Sequence, residues 1–203
     1  MEIDEEWAEF RRWIGLINKS HGYAGIFNYQ SETDKKIVER TVIEEWSNSL
    51  TYTLGVKVAS IETNASEPPD FFVDIGGKNI GVELVQLVNQ KHKHRAAHNE
   101  FVHSGSLFQD MQWTDERLTT EISNIIDRKS ERYDRRGIEI DVLLIFSAEP
   151  WLTAGQLDRW IRTAEIAKPT TFKCAFLLLD YESGRGTDSW PLFPLFGDID
   201  AII

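Results

Sequence analysis

Residues 69–86 read PDFFVDIGGKNIGVELVQ. Two runs rich in β-branched and aromatic residues flank Gly76-Gly77, a pair suited to a two-residue hairpin turn. The stretch therefore predicts a strand over 70–75, a tight turn, and a second strand over 79–87. Asp70 opens the first strand and Glu83 lies inside the second. A charge inside an otherwise apolar strand is costly unless it is paired or bound to a metal. Strand alternation puts Gly81, Glu83 and Val85 on one face, and Val82, Leu84 and Gln86 on the other. Gly81, beside Glu83, leaves room for a close approach. Two carboxylates brought together on one hairpin repel each other, and a hard divalent cation such as Mg²⁺ or Mn²⁺ relieves that repulsion.

Upstream of the hairpin, residues 56–62 predict another short strand. Ahead of it, Ser31 with Asp34 resembles a capping box opening a helix with Val38, Val42 and Trp46 on one stripe. Residues 3–18 read as a helix with Trp7, Phe10, Trp13 (or Ile14) and Ile17 at helical spacing. After the hairpin, 88–113 is polar and rich in histidine, and no element is assigned to it. Thr114 then opens a long helix to about Asp134, with Leu118, Ile122, Ile125 and Ile126 as its apolar stripe. Residues 139–147 and 172–180 are near-continuous apolar runs, as central strands buried on both faces require. Between them, Thr153 and Gln156 cap a helix bearing Leu157, Trp160, Ile161 and Ala164. Strand, helix, strand in that order implies a parallel crossover. The segment WPLFPLF, with two prolines, fits an edge strand at best. The expected fold is α/β, a mixed central sheet with helices on both faces.

The chain of 203 residues fits one domain. Within it, 1–30 reads as a helical decoration, 31–180 as the core and 181–203 as a C-terminal edge segment. With 41% hydrophobic and 27% charged residues, the composition supports a packed core and excludes a disordered chain. No apolar run reaches the ~20 residues of a membrane span. Met1 to Phe10 holds five acidic residues and no basic ones, unlike a secretory signal. Cys174 is the only cysteine, which excludes internal disulfides and cysteine-based zinc sites. A cytoplasmic, reducing setting is expected.

The net charge of −11 argues against non-specific, charge-driven nucleic-acid binding. Positive charge is nevertheless clustered, at Lys91, Lys93 and Arg95, and again from Arg128 and Lys129 through Arg132 to Arg135 and Arg136. These clusters read either as solvated faces or as the walls of a local basic groove. His92, His94, His98 and His103 match none of the usual zinc spacings and read as part of a polar loop. The sequence contains no phosphate-cradling glycine loop, dinucleotide fingerprint or serine-hydrolase elbow.

Pro69-Asp70 and Glu83, separated by a Gly-Gly hairpin, resemble the active-site motif of the PD-(D/E)XK nuclease superfamily, the restriction-endonuclease-like fold. The context agrees, with a helix before the first strand and a helix then a strand after the motif. The resemblance spans about residues 31–180. It implies a metal-dependent nuclease hydrolysing phosphodiester bonds, of DNA ahead of RNA. It also implies that Asp70 and Glu83 hold Mg²⁺ or Mn²⁺, joined by the backbone carbonyl of Leu84.

The chain departs from the motif at position 85, where the family lysine would stand and where this sequence has Val85. Gln86 is adjacent but is expected to face the other way unless a bulge re-aims it. Lys129 is the candidate for a migrated lysine. It lies four residues after Ile125, seven after Ile122 and eleven after Leu118, on the stripe facing the sheet. The other reading of Lys129 is snorkelling near a helix end. In some relatives a glutamate on the preceding helix joins the metal shell, and of Glu39, Glu44 and Glu45 the last is chosen here. Lys91, Lys93, Arg95 and Arg132 are the candidate phosphate contacts. Two alternatives stand beside the nuclease reading. One is a catalytically inactive member of the same fold serving as an interaction module for a protein or nucleic-acid partner. The other is a purely structural role for Asp70 and Glu83.

Overall fold

The computed structural model describes residues 31–66, 68–88, 112–149 and 151–202. The helix expected over 3–18, the histidines at 92–103 and the basic residues Lys91, Lys93 and Arg95 lie outside the described residues.

Helix α1 (Glu32–Leu54) starts where Ser31 Oγ accepts the Asp34 N–H, with Glu32 and Asp34 favourable in its first turn. It ends at Gly55, whose φ of 72° is the left-handed conformation that glycine adopts without strain. Strands β1 (Val58–Thr63), β2 (Phe71–Ile75) and β3 (Lys78–Gln86) follow. Helix α2 (Asp115–Asp134) is capped by Thr114 Oγ1, which accepts the Arg117 N–H. Strand β4 (Ile140–Ser147), helix α3 (Ala154–Ile161), strands β5 (Phe172–Leu179) and β6 (Leu192–Phe196) and a 3₁₀ turn (Ile199–Ala201) complete the order. At α3 the capping box is complete, since Thr153 and Gln156 satisfy each other's backbone. The Ile75–Lys78 turn closes with φ of 63° at Gly76 and 81° at Gly77, and the Gly77 N–H donates to Asp74 Oδ1.

The six strands form one mixed sheet in chain order, β1 to β6. β1, β2 and β3 are antiparallel, β3, β4 and β5 parallel, and β5 and β6 antiparallel. Period-two alternation divides the core into two clusters. On one face, Val38, Val42, Ile43, Trp46 and Leu50 of α1 pack over Val73, Val82, Leu144, Phe146 and Phe176. On the other, Leu118, Ile122, Ile125 and Ile126 of α2 and Leu157 of α3 pack over Leu143, Ile145, Ala175 and Leu177. β4 and β5 are thus buried on both faces, and β6, with Pro194 in it, is an edge strand, as their sequences predict. No helix among the described residues is long and apolar enough to cross a membrane.

β2 begins at Phe71, opposite Val82, so β3 runs beyond the end of β2. From Glu83 to Gln86, β3 is paired to β4 on one side, from Leu143 to Phe146, and β2 does not continue along the other. The sheet therefore has a notch at the C-terminal half of β3, with α1 above one face and α2 above the other.

Candidate active site

Asp70 sits at the mouth of the notch. The Asn64 side chain donates to the Pro69 carbonyl at 2.8 Å and the Asn64 N–H donates to the Asp70 carbonyl at 2.9 Å, which fixes this short segment against the end of β1. Pro69 packs on Gly81, with its Cγ 3.1 Å from the place a Cβ on Gly81 would occupy. The close approach that Gly81 permits is thus made by the chain itself. Asp70 Oδ2 accepts the Leu84 N–H at 2.7 Å, replacing the strand partner that β2 no longer supplies. An extended residue points its N–H and C=O to the same side, so the Leu84 carbonyl also faces the notch.

Glu83 is 3% exposed and lies on the α2 face of β3. Its Oε1 accepts from Lys129 Nζ at 2.5 Å and also from the Tyr133 hydroxyl. Its Oε2 is buried and has no hydrogen-bond partner among the described residues. Lys129 and Tyr133 are one turn apart on α2, so both reach the same oxygen. Val85, two residues from Glu83 on the same face, packs into the α2-side core. Lys129 thus brings an ammonium to Glu83 from the helix covering that face.

These groups line a cleft of about 360 Å³, together with Lys35, Val38, Glu39, Val42, Pro68, Leu84, Val85, Gln86, Arg132 and Phe146. Burial, and then the charge of Glu83, push the Asp70 carboxyl up to about 7, against the lowering effects of the Leu84 N–H and Lys129. Burial and the bond to Glu83 hold the Tyr133 hydroxyl protonated far above its ordinary range.

Of the residues singled out in the sequence, Asp70, Glu83, Leu84, Gln86, Lys129 and Arg132 all line this cleft. Gln86 reaches it without a bulge, since the β3–β4 register is unbroken from Val82 to Gln86. The notch is open to both faces of the strand. Glu45 is not among the lining residues. It bonds to Asn48 at 3.4 Å, and burial and the charges of Glu44 and Asp180 raise its pKa. Six residues beyond Glu39 carry it about 9 Å along the helix and about 240° around it. Glu39 takes the place expected of Glu45, lining the cleft close enough for its charge to act on Asp70. Sequence reading also passed over Tyr133, Lys35 and Asn64. Tyr133 had a signal, because it continues the stripe that singles out Lys129 by one more turn.

No protein-family model, curated protein or solved structure matches this chain.

Two features of the cleft fit a divalent cation. Glu83 Oε2 is a buried acceptor without a donor among the described residues, and burial and a neighbouring carboxylate raise the pKa of Asp70. A cation satisfies the first and offsets the second, because an adjacent positive charge favours the ionised carboxylate. Among the described residues no three histidine, cysteine or carboxylate side chains cluster as a self-sufficient metal cage. Two carboxylates and a carbonyl, with water making up the remainder, suit Mg²⁺ or Mn²⁺ rather than zinc.

Proposed function

We propose that this chain is a metal-dependent nuclease that hydrolyses phosphodiester bonds of nucleic acid, with DNA the first substrate to test. The observation that carries the reading is the meeting of Asp70, Glu83 and Lys129 at the notch in the sheet, with one buried Glu83 oxygen left open. The restriction-endonuclease-like fold is part of the same proposal. It is supported by the order of elements across residues 31–180 and by the position of the Pro69-Asp70 and Glu83 motif at the strand edge.

Asp70, Glu83 and the Leu84 carbonyl would hold the cation. When bound, it supplies Lewis acidity for water activation and neutralises charge on the phosphoryl group. Lys129 places an ammonium where negative charge builds on the phosphoryl oxygens during attack, in a half-enclosed site where such a charge is strengthened. Gln86 adds an amide beside it, able to orient water. Lys35 on α1 and Arg132 on α2 line the walls and are placed to grip backbone phosphates. This local basic frame reconciles an acidic chain with an anionic substrate.

The test is incubation of the purified chain with single-stranded DNA, double-stranded DNA and RNA in Mg²⁺, Mn²⁺ or EDTA. Asp70→Asn and Glu83→Gln variants run alongside. Cleavage that needs metal and disappears in both variants is expected. Absence of cleavage together with absence of metal binding by calorimetry would refute the nuclease reading and leave an interaction module.

A further inference from the structure

Two donors meet at Glu83 Oε1, and they differ in freedom. Tyr133 is 1% exposed, and its ring meets Phe172 edge-on at 6.2 Å and 78°. Lys129 and Arg132 lie over the same ring, each 5.8 Å from its centroid. The phenol ring is therefore fixed by packing, and its hydroxyl donates to Glu83 Oε1. Lys129 is a flexible four-carbon stem whose side chain is 20% exposed and borders the cleft.

A lysine bonded to Glu83 is not free to serve a substrate. Were it the carboxylate's single donor, its departure would leave a buried charge unpaired, which is strongly unfavourable. With Tyr133 in place, Oε1 keeps a donor and Glu83 keeps its orientation.

We infer that Tyr133 is a positioning residue. It holds Glu83 in place while Lys129 exchanges between Glu83 Oε1 and a phosphate oxygen of the substrate. The inference rests on the nuclease reading and adds a division of labour to it. Tyr133 serves the metal-binding carboxylate and Lys129 serves the phosphoryl group. Neither role requires a proton transfer.

The roles separate in metal affinity. Tyr133→Phe removes one hydroxyl and keeps the ring. It should weaken Mn²⁺ binding, measured by calorimetry, by about ten-fold or more, as expected when a ligand loses its supporting hydrogen bond. Lys129→Met should bind Mn²⁺ at least as tightly as the parent, since a cation has left the site, while losing cleavage. Equal Mn²⁺ affinity in the parent and Tyr133→Phe would overturn the inference and leave the nuclease reading standing. So would equal weakening in both variants. A parent chain that binds no Mn²⁺ would overturn both. Should Tyr133→Phe unfold, the variant is made again in a Glu83→Gln background and thermal unfolding is followed in EDTA. Recovery of folding there supports the pairing with Glu83, and failure to recover shows Tyr133 to be a packing residue and overturns it.

Discussion

The Leu84 N–H donates to Asp70 Oδ2 at 2.7 Å, so a side chain stands where the sheet would otherwise place a strand. This bond pulls Asp70 into the notch, where burial and Glu83 raise its pKa from 3.8 to about 7. Asp70 then binds its proton more tightly in the folded chain than in the unfolded one. In the metal-free protein this contribution to stability is full below about pH 4 and is lost as pH rises towards 7. In EDTA, the thermal midpoint of the parent should fall between about pH 5 and about pH 8 by more than that of Asp70→Asn. The variant keeps an oxygen for Leu84 and loses the charge. Mg²⁺ added at the higher pH should restore the parent and leave Asp70→Asn unchanged. The same pH slope in both proteins would show that Asp70 does not titrate in this window.

Gly81 bears on the site through Pro69. A methyl group at position 81 would lie 3.1 Å from Pro69 Cγ, and Pro69 carries Asp70 with it. Gly81→Ala should cost about 1–2 kcal/mol as the ring gives way. Its effect on Mn²⁺ affinity should exceed what that loss of stability explains, because Asp70 moves with the ring. Chemical denaturation and calorimetry on one preparation check both parts. A variant with parental metal affinity would show that the segment adjusts without moving the carboxylate.

Lys35 and Arg132 approach the cleft from opposite faces of the sheet. Each phosphate contact contributes about one unit to the slope of log affinity against log salt. Lys35→Ala and Arg132→Ala should each weaken DNA binding in EDTA and flatten that slope by about one unit. The loss should be uniform across DNA sequences, since a phosphate contact carries no base information. Fluorescence anisotropy across a salt series measures it. Unchanged slopes would move the binding surface elsewhere.

The hairpin, the α3 capping box and the parallel crossover were legible because each is written in local pattern: a glycine pair, a cap spacing, two apolar runs. The notch was not legible, because where β2 stops pairing with β3 is set by how Asn64 ties down Pro69 and Asp70. That also explains the choice between Glu39 and Glu45. Each lies beside the stripe of Val38, Val42 and Trp46, and the sequence treats them alike. Which end of α1 overlies the notch decides between them, and that is tertiary. Tyr133 was overlooked for another reason, since an aromatic on an apolar stripe reads as packing, which the ring does, while the hydroxyl has its own partner.

The placement of the lysine gives the sharpest test of the site. Glu83 and Val85 share the α2 face of β3, so a lysine at position 85 would project towards the same cleft from the strand that Lys129 enters from the helix. Lys129→Met should lower the rate of cleavage on the order of 10²-fold or more, the scale of losing one charge-stabilising group. Adding Val85→Lys to that variant should return about ten-fold or more of the loss, because the ammonium is needed at the phosphoryl group whichever element delivers it. Val85→Lys alone should gain nothing, since two ammonium groups would compete for one Glu83 oxygen and one would be displaced towards solvent. Single-turnover rates in Mg²⁺ for the parent, both single variants and the double variant decide the matter. Recovery in the double variant would establish that α2 supplies the group the strand lacks. A double variant as slow as Lys129→Met, with its fold intact by circular dichroism, would mean that Lys129 acts through Glu83 and not on the substrate.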